Sequence, residues 1–234
     1  MIPRKRRCLE VACVNGWIVT RSDDGIEKAA RCAACLPTTE ERLKSAGVPL
    51  HERAARFDEV DGPLRSTAQK VERFLTEWDP SATSVRILLV RGRPGVGKSW
   101  LLACAMRLFI ERGKSVLWKG VKELLREICD TYDNATEDTE SAYLRRIVNV
   151  DFLGLNDLHA RYKATEHALN TTESIVDSRI SAAKVTFITT NSTAEAIAEK
   201  YGERMRSRLG ERFCRVIDMD EVRPRLPDFR SRRG

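Results

Sequence analysis

From residue 84 onward, short apolar runs alternate with longer segments in which apolar residues recur at helical spacing. The short runs predict buried strands, and the periodic segments predict helices that cover them. Strands that alternate with helices along a chain form a parallel sheet. We therefore predict an α/β domain over residues 84–234 with a five-stranded parallel sheet. The predicted strands are residues 85–91, 115–119, 146–151, 185–190 and 214–219.

The chain before residue 84 has weaker patterning. Residues 37–83 are predicted to be a linker with one helix, which starts at Ser66 and stops at Pro80. Residues 1–36 contain four of the seven cysteines and few apolar residues that could form a core. We predict a small cysteine-rich module there.

The first predicted strand leads directly into a phosphate-binding motif. Its segment Gly92-Arg93-Pro94-Gly95-Val96-Gly97-Lys98-Ser99 matches the pattern G-x-x-x-x-G-K-[ST]. In this motif the glycines allow a tight turn whose N–H groups point at phosphate oxygens. The lysine reaches the β and γ phosphates of ATP, and the hydroxyl is a Mg²⁺ ligand. The residues predicted to bind the nucleotide are Gly92, Pro94, Gly95, Val96, Gly97, Lys98 and Ser99.

An acidic residue is expected at the carboxyl end of a second buried strand, where open α/β sheets bind ligands. Asp151 ends the predicted strand 146–151 and is our candidate for holding Mg²⁺, although an ordinary strand-end aspartate is the alternative. ATPases of this kind usually have a second acid at the next position, which here is Phe152. Phenylalanine cannot orient the attacking water. The nearest carboxylate downstream is Asp157, but six residues past Asp151 it need not face the γ-phosphate. We therefore predict slow hydrolysis or a base from elsewhere.

Two further polar features follow the fourth strand. Asn191 comes directly after the strand, where it could position water or sense the γ-phosphate, or could be only a turn residue. Residues 202–209 are rich in arginine. This segment is either a solvated helix face or the source of an arginine finger for a neighbouring subunit's ATP, which requires an oligomer.

The whole-chain charge adds a candidate partner. The 234 residues have a net charge of +7 and a pI near 9.2, which suits contact with nucleic acid. The C-terminal segment is basic as well, and a solvated tail is the alternative there. No apolar run approaches the length of a membrane span, and no signal peptide is recognisable. We therefore expect a cytoplasmic protein that does not enter the membrane.

The cysteines of the first 36 residues fall into two pairs, Cys8-x4-Cys13 and Cys32-x2-Cys35. An odd total number of cysteines argues against a disulfide framework. Two spaced pairs are typical of a tetrahedral four-cysteine zinc site, although the first spacing is wider than usual. Zinc bound by all four is our prediction, and incidental reduced cysteines are the alternative.

In combination these motifs point to a known family. Residues 85–229 resemble the AAA+ domain of DnaC/DnaI-type replicative helicase loaders and, more distantly, IstB-type transposition helpers. The stretches that carry the resemblance are GRPGVGKSWLLACA, VKELLREICDTYD, VDFLG, KVTFITTN, GERMRSRL and CRVIDMDEVRPRLPDFR.

The resemblance implies roles for individual residues. It makes Lys98 and Ser99 the Walker A residues, Asp151 the Walker B acid and Asn191 the sensor 1 residue. Arg208 corresponds to the arginine finger, with Arg204 one turn before it. By the same resemblance, helix 121–131 faces single-stranded DNA and the N-terminal region contacts the replicative helicase.

We therefore predict an ATP-binding AAA+ protein that loads or regulates a replicative helicase on single-stranded DNA and forms a homo-oligomer through its ATP site. Three alternatives remain. A transposition accessory ATPase would usually lack the cysteine module. A nucleotide-gated scaffold with little hydrolysis is favoured by Phe152. A P-loop nucleotide kinase would need an acceptor site, which is not recognisable in the sequence.

Overall fold

A computed structural model describes residues 13–14, 17–21, 24–32, 35–132, 139–159 and 163–222. The chain divides into two compact units, with the boundary between Arg42 and Leu43. No helix within these described ranges is long and apolar enough to cross a membrane.

The first unit contains a small antiparallel sheet in the order β1-β2-β3. Its strands are β1 (Cys13–Val14), β2 (Trp17–Arg21) and β3 (Glu27–Arg31). Gly25 has a φ of 79°, a backbone conformation that glycine adopts without strain, and it turns the chain between β2 and β3. Helix α1 (Thr39–Ser45) follows along the chain.

The second unit is built on a five-stranded sheet in the order β5-β6-β7-β4-β8, with all four neighbouring pairs parallel. This confirms the predicted α/β class and the five parallel strands. The strands are β4 (Ile87–Arg91), β5 (Val116–Gly120), β6 (Phe152–Asn156), β7 (Val185–Thr190) and β8 (Cys214–Asp218). The central strands β4 and β7 are buried almost throughout, as expected for a parallel sheet covered on both faces.

Helices cover both faces of this sheet, and each face has its own apolar core. One face packs against α2 (Arg65–Glu77) and α3 (Lys98–Glu111), and the other packs against the helices that follow β5. Those later helices are α4 (Val121–Tyr132), α5 (Glu140–Asn149), α6 (Glu166–Ser181), α7 (Ala194–Tyr201) and α8 (Glu203–Arg208), and a short α9 (Met219–Val222) ends the described chain.

Residues 43–83, which the sequence places in a linker, contribute to the core of the second unit. Leu43, Val48 and Leu64 are each 1% exposed and belong to the same cluster as α3. Two short 3-10 helices, Leu50–Glu52 and Gly62–Leu64, shape this segment. Between residues 43 and 64 the buried apolar residues are irregularly spaced, so this part of the segment shows neither helix nor strand periodicity.

The third predicted strand is wrong. Residues 146–149 are the end of α5, where Tyr143 and Ile147 are buried four positions apart on one helix face. Strand β6 starts at Phe152, after Asp151. The turn between α5 and β6 is held by Arg179, whose buried Nη1 donates to the carbonyls of Ile147, Val148 and Val150 at 2.8–3.1 Å. The other four predicted strands are confirmed within two residues.

Candidate nucleotide-binding site

The phosphate-binding loop connects β4 to α3, as its motif requires. Two of its glycines are required by their surroundings as well as by their positive φ angles. A Cβ at Gly92 would lie 2.9 Å from Met219 Cβ, and one at Gly97 would lie 2.9 Å from Leu64 Cδ2. The loop can therefore keep this shape only with glycine at both positions.

Lys98 is the first residue of α3 and is only 8% exposed. Its ammonium group donates to the loop carbonyls of Gly92 at 2.7 Å and Arg93 at 2.9 Å. These contacts hold the Lys98 Nζ inside the loop, with the N-terminal end of α3 beside it. A helix N-terminus favours anions, so the loop combines a fixed cation with the positive end of a helix dipole.

The loop is anchored from β8 and α9 by two aspartates. The Asp220 carboxylate accepts from the Arg93 N–H at 3.0 and 3.1 Å. At the strand ends, Asp218 accepts from Arg91 Nε at 2.7 Å and Nη2 at 2.6 Å. The sequence indicated no role for either aspartate, because Arg91 and Arg93 each lie 127 positions away along the chain.

Strand β6 brings two polar residues to the loop at its carboxyl end. Ser99 Oγ donates to Asn156 Oδ1 at 2.9 Å. Thr189 Oγ1 also donates to Asn156 Oδ1 at 2.9 Å and accepts from the Asp157 N–H at 2.8 Å. Asn191 Nδ2 in turn donates to Asp157 Oδ1 at 3.2 Å. Asn156 and Asp157 therefore hold the positions that the sequence analysis assigned to Asp151 and Phe152.

The assignment of Asp151 as the Mg²⁺ residue is wrong, because Asp151 precedes β6 rather than ending it. A five-residue strand spans roughly 17 Å, so Asp151, at the amino end of β6, lies about that far from the loop at the carboxyl end. Its Oδ2 accepts from Ser115 Oγ at 2.7 Å and from Ser115 N at 2.9 Å. These hydrogen bonds lower the pKa of the Asp151 carboxyl, and they cap the start of β5 and β6.

Phe152 is a core residue and is not among the residues that line the cavity beside the loop. It is fully buried, and its ring stacks on Phe109 with a centroid distance of 4.3 Å. The inference of slow hydrolysis from Phe152 therefore loses its basis. The carboxylate that lies beside the phosphate-binding loop is Asp157, which the sequence analysis considered and set aside.

The loop, the strand ends and residues 49–52 enclose a cavity of about 510 Å³. Of the predicted site residues, Pro94, Gly95, Gly97, Lys98, Ser99 and Asn191 line this cavity. Gly92 and the buried Val96 shape the loop behind it. The lining residues that the sequence analysis did not assign to the site are Pro49, His51, Glu52, Trp100, Trp118, Asn156, Asp157 and Thr189.

Arg204 and Arg208 lie on α8 and are not among the residues that line the cavity. Arg208 Nε pairs with the Asp177 carboxylate of α6, and its guanidinium lies 5.3 Å from the centroid of the Phe213 ring. Arg204 Nη1 lies 3.6 Å from Glu173 Oε1. Their predicted action on the ATP of a neighbouring copy stays a prediction.

Three of the cysteine thiols lie close together in the first unit. The Sγ atoms of Cys13, Cys32 and Cys35 all lie within 4.8 Å of one another, with 3.5 Å between Cys13 and Cys35. Zn–S bonds of about 2.3 Å place neighbouring sulfurs roughly 3.8 Å apart, so the three thiols fit zinc. The fourth predicted ligand, Cys8, lies outside the described residues.

No protein-family model matches the chain. The replicative helicase loader DnaC of Escherichia coli strain K12 is 28% identical over 183 residues, which cover 76% of this chain and 72% of that protein. This similarity confirms the resemblance to the DnaC/DnaI-type loaders.

Solved structures share the fold. The crystal structure of DnaI has a TM-score of 0.62 at 23% identity and covers 80% of this chain and 99% of that chain. The replication initiator DnaA bound to AMPPCP and single-stranded DNA has a TM-score of 0.59 at 16% identity and covers 70% of this chain and half of that chain. These likenesses confirm the predicted α/β fold.

Proposed function

We propose that this relative of the DnaC/DnaI-type loaders binds ATP and loads or regulates a replicative DNA helicase on single-stranded DNA. The observation that carries the proposal is the cavity in which Lys98, Ser99, Asp157 and Asn191 converge from three different elements. The similarity to DnaC over three quarters of the chain favours a loader over a transposition helper.

Each residue of the cavity has a role in this proposal. Lys98 binds the β and γ phosphates, and the loop N–H groups surround them. Asp157 lies where a carboxylate can accept a proton from, or orient, the water that attacks the γ-phosphate. Asn191 donates to Asp157 and holds it in place. DnaA, which shares the fold, has been solved with the ATP analogue AMPPCP, and this supports ATP as the ligand.

The motif also implies Mg²⁺, and the chain brings two oxygen donors into the cavity. The Ser99 hydroxyl and the Asp157 carboxylate line the same space, and both are the oxygen donors that Mg²⁺ prefers. When bound, the ion would neutralise charge on the β and γ phosphates. The chain contributes a hydroxyl and a carboxylate toward it, with Asn156 fixing the hydroxyl.

Arg208 is proposed to act on ATP bound by a second copy of the chain. In its own subunit it pairs with Asp177 and does not line the cavity. We expect Arg208→Ala to lower ATP-dependent assembly or turnover at least tenfold, while isolated subunits bind ATP as before. Sedimentation with and without ATP measures assembly, and the exposed Arg73→Ala is the control. Equal loss of ATP binding would show that Arg208 acts within its own subunit.

Helix α4 is proposed to contact single-stranded DNA. Lys122 and Arg126 are exposed on it, whereas Leu124 and Leu125 face the core. Replacing both basic residues by alanine should weaken binding and flatten its salt dependence by about 0.7 in log–log slope for each lost phosphate contact. The double variant Lys70→Ala/Arg73→Ala removes the same charge from α2 and should leave the slope unchanged. An unchanged slope in the α4 variant would contradict this contact.

The first unit is proposed to bind one zinc ion through Cys8, Cys13, Cys32 and Cys35 and to contact the helicase. Because structural zinc contributes folding energy, chelation should loosen this unit and leave the second unit folded. Metal analysis should find one zinc per chain, lost when the four cysteines become serine and kept in Cys129→Ser. Zinc that persists in the fourfold variant would disprove these ligands.

The partner can be tested directly in the protein's host. A tagged copy purified from the host in the presence of ATP should retain the replicative helicase, and deleting residues 1–36 should abolish retention. Retention of a transposase in place of the helicase would contradict the loader proposal and support the transposition alternative.

A further inference from the structure

The strand-end position that faces the P-loop serine carries an amide in this chain. P-loop NTPases hold Mg²⁺ between the P-loop Ser/Thr and an aspartate at the end of a neighbouring strand. Here Ser99 Oγ donates instead to the side-chain oxygen of Asn156 at 2.9 Å. Asn156 is therefore a neutral residue at a position where a negative charge normally attracts the cation.

The amide oxygen of Asn156 already has two donors. Besides Ser99, Thr189 Oγ1 donates to it at 2.9 Å, and a carbonyl oxygen has two lone pairs. Both are therefore used in fixing the two hydroxyls. Asn156 can orient Ser99, but it offers a dication neither a charge nor a free lone pair.

Two carboxylates remain among the residues that line the cavity, Asp157 and Glu52. Asp157 accepts from Asn191 Nδ2, so this carboxylate already has one donor. Glu52 comes from the 3-10 helix Leu50–Glu52, on a different segment from the strand ends. The Ser99 hydroxyl donates to Asn156 rather than to either of these carboxylates.

We propose that Asn156 uncouples nucleotide binding from the divalent cation, so that the site holds a nucleoside triphosphate about equally well with and without Mg²⁺. The inference rests on the proposed ATP binding. Lys98 and the loop N–H groups supply the attraction for phosphate in both conditions. No carboxylate at position 156 repels the γ-phosphate when the cation is absent, and none strengthens cation binding when it is present.

The test is a titration of fluorescent mant-ATP in excess Mg²⁺ and in excess EDTA. For the unmodified protein we expect the two dissociation constants to agree within about threefold. Asn156→Asp should separate them by about tenfold to a hundredfold, the usual effect of changing a group next to a metal ligand. Asn170→Asp adds the same charge on the exposed side of α6 and should leave the ratio unchanged.

A second measurement gives the affinity of the site for a divalent cation. Electron paramagnetic resonance of Mn²⁺ added to the protein–AMPPCP complex should show cation affinity rising at least tenfold in Asn156→Asp. Thermal unfolding followed by circular dichroism checks that the variant folds. If it does not fold, the ratio measured for the unmodified protein still decides the proposal.

A ratio above tenfold for the unmodified protein would overturn the inference, and so would a folded Asn156→Asp variant with an unchanged ratio. Absence of mant-ATP binding under both conditions would contradict the proposed function itself, and the inference would fall with it. These outcomes distinguish a failure of the cation argument from a failure of ATP binding.

Discussion

Replacing Asp157 by asparagine is expected to lower ATP turnover by two to four orders of magnitude, the usual contribution of a general base. The Asp157 carboxylate lines the cavity with Lys98 and Ser99 and is held by Asn191. Asparagine keeps the shape and loses the basic oxygen. ATP affinity should stay within about threefold, because Lys98 and the loop remain. Single-turnover hydrolysis and mant-ATP titration measure the two quantities.

Asp151→Asn is the matched control, because it makes the same change at the amino end of β6, away from the loop. It replaces the charged acceptor for Ser115 by a neutral amide oxygen, so the two hydrogen bonds weaken and some loss of stability is expected. Turnover should be unchanged at temperatures where the variant is folded. A large loss of turnover in Asp151→Asn with none in Asp157→Asn would contradict the placement of Asp157, rather than Asp151, at the nucleotide site.

Lys98→Ala is expected to weaken ATP binding by about a hundredfold, which corresponds to roughly 2.7 kcal/mol. Lys98 is the one lysine among the residues that line the cavity, and its ammonium group lies inside the loop. Hydrogen bonds from a charged group to phosphate are the strong class, so their loss has a large effect. Isothermal titration calorimetry with ATP measures the change.

Lys70→Ala removes an exposed lysine from α2 and should bind ATP like the unmodified protein. It controls for the general effect on ATP affinity of removing one positive charge from a chain of net charge +7. Unchanged ATP affinity in Lys98→Ala would contradict the assignment of the loop as a nucleotide site.

The sequence predicted the loop well because its motif is local. Strand, loop and helix are consecutive, and each loop residue has a role that follows from its type. The same holds for α4, because the predicted helix over residues 121–131 is confirmed by the helix at Val121–Tyr132. Four of the five strands were predicted for the same reason, since each is a short apolar run with polar flanks.

The sequence misled us at β6 because three features hid the strand. Its interior contains Gly154, which weakens a strand pattern. The packing favours glycine, since a Cβ there would lie 2.7 Å from Leu102 Cδ1 and the leucine side chain would have to shift. The strand ends in Asn156 rather than an acid, and the helix before it ends in apolar residues followed by Asp151. Only the neighbouring strands show which aspartate lies beside the loop.

The contribution of residues 43–64 could not be predicted, because it depends on tertiary contacts. Ala46 accepts from the Trp118 N–H at 2.7 Å, which attaches this segment to the edge strand β5. Pro49, His51 and Glu52 then form one wall of the cavity. No local periodicity predicts such an arrangement, so the sequence indicated a linker.

The central claim is that ATP binding by this chain places a replicative helicase on single-stranded DNA. The direct measurement is the amount of the host's replicative helicase recovered on circular single-stranded DNA after incubation with this protein. We expect recovery to increase several-fold with ATP and to fall to the level without loader when Lys98→Ala replaces the unmodified protein. Recovery that is unaffected by the protein, or that is equal with Lys98→Ala, would contradict it.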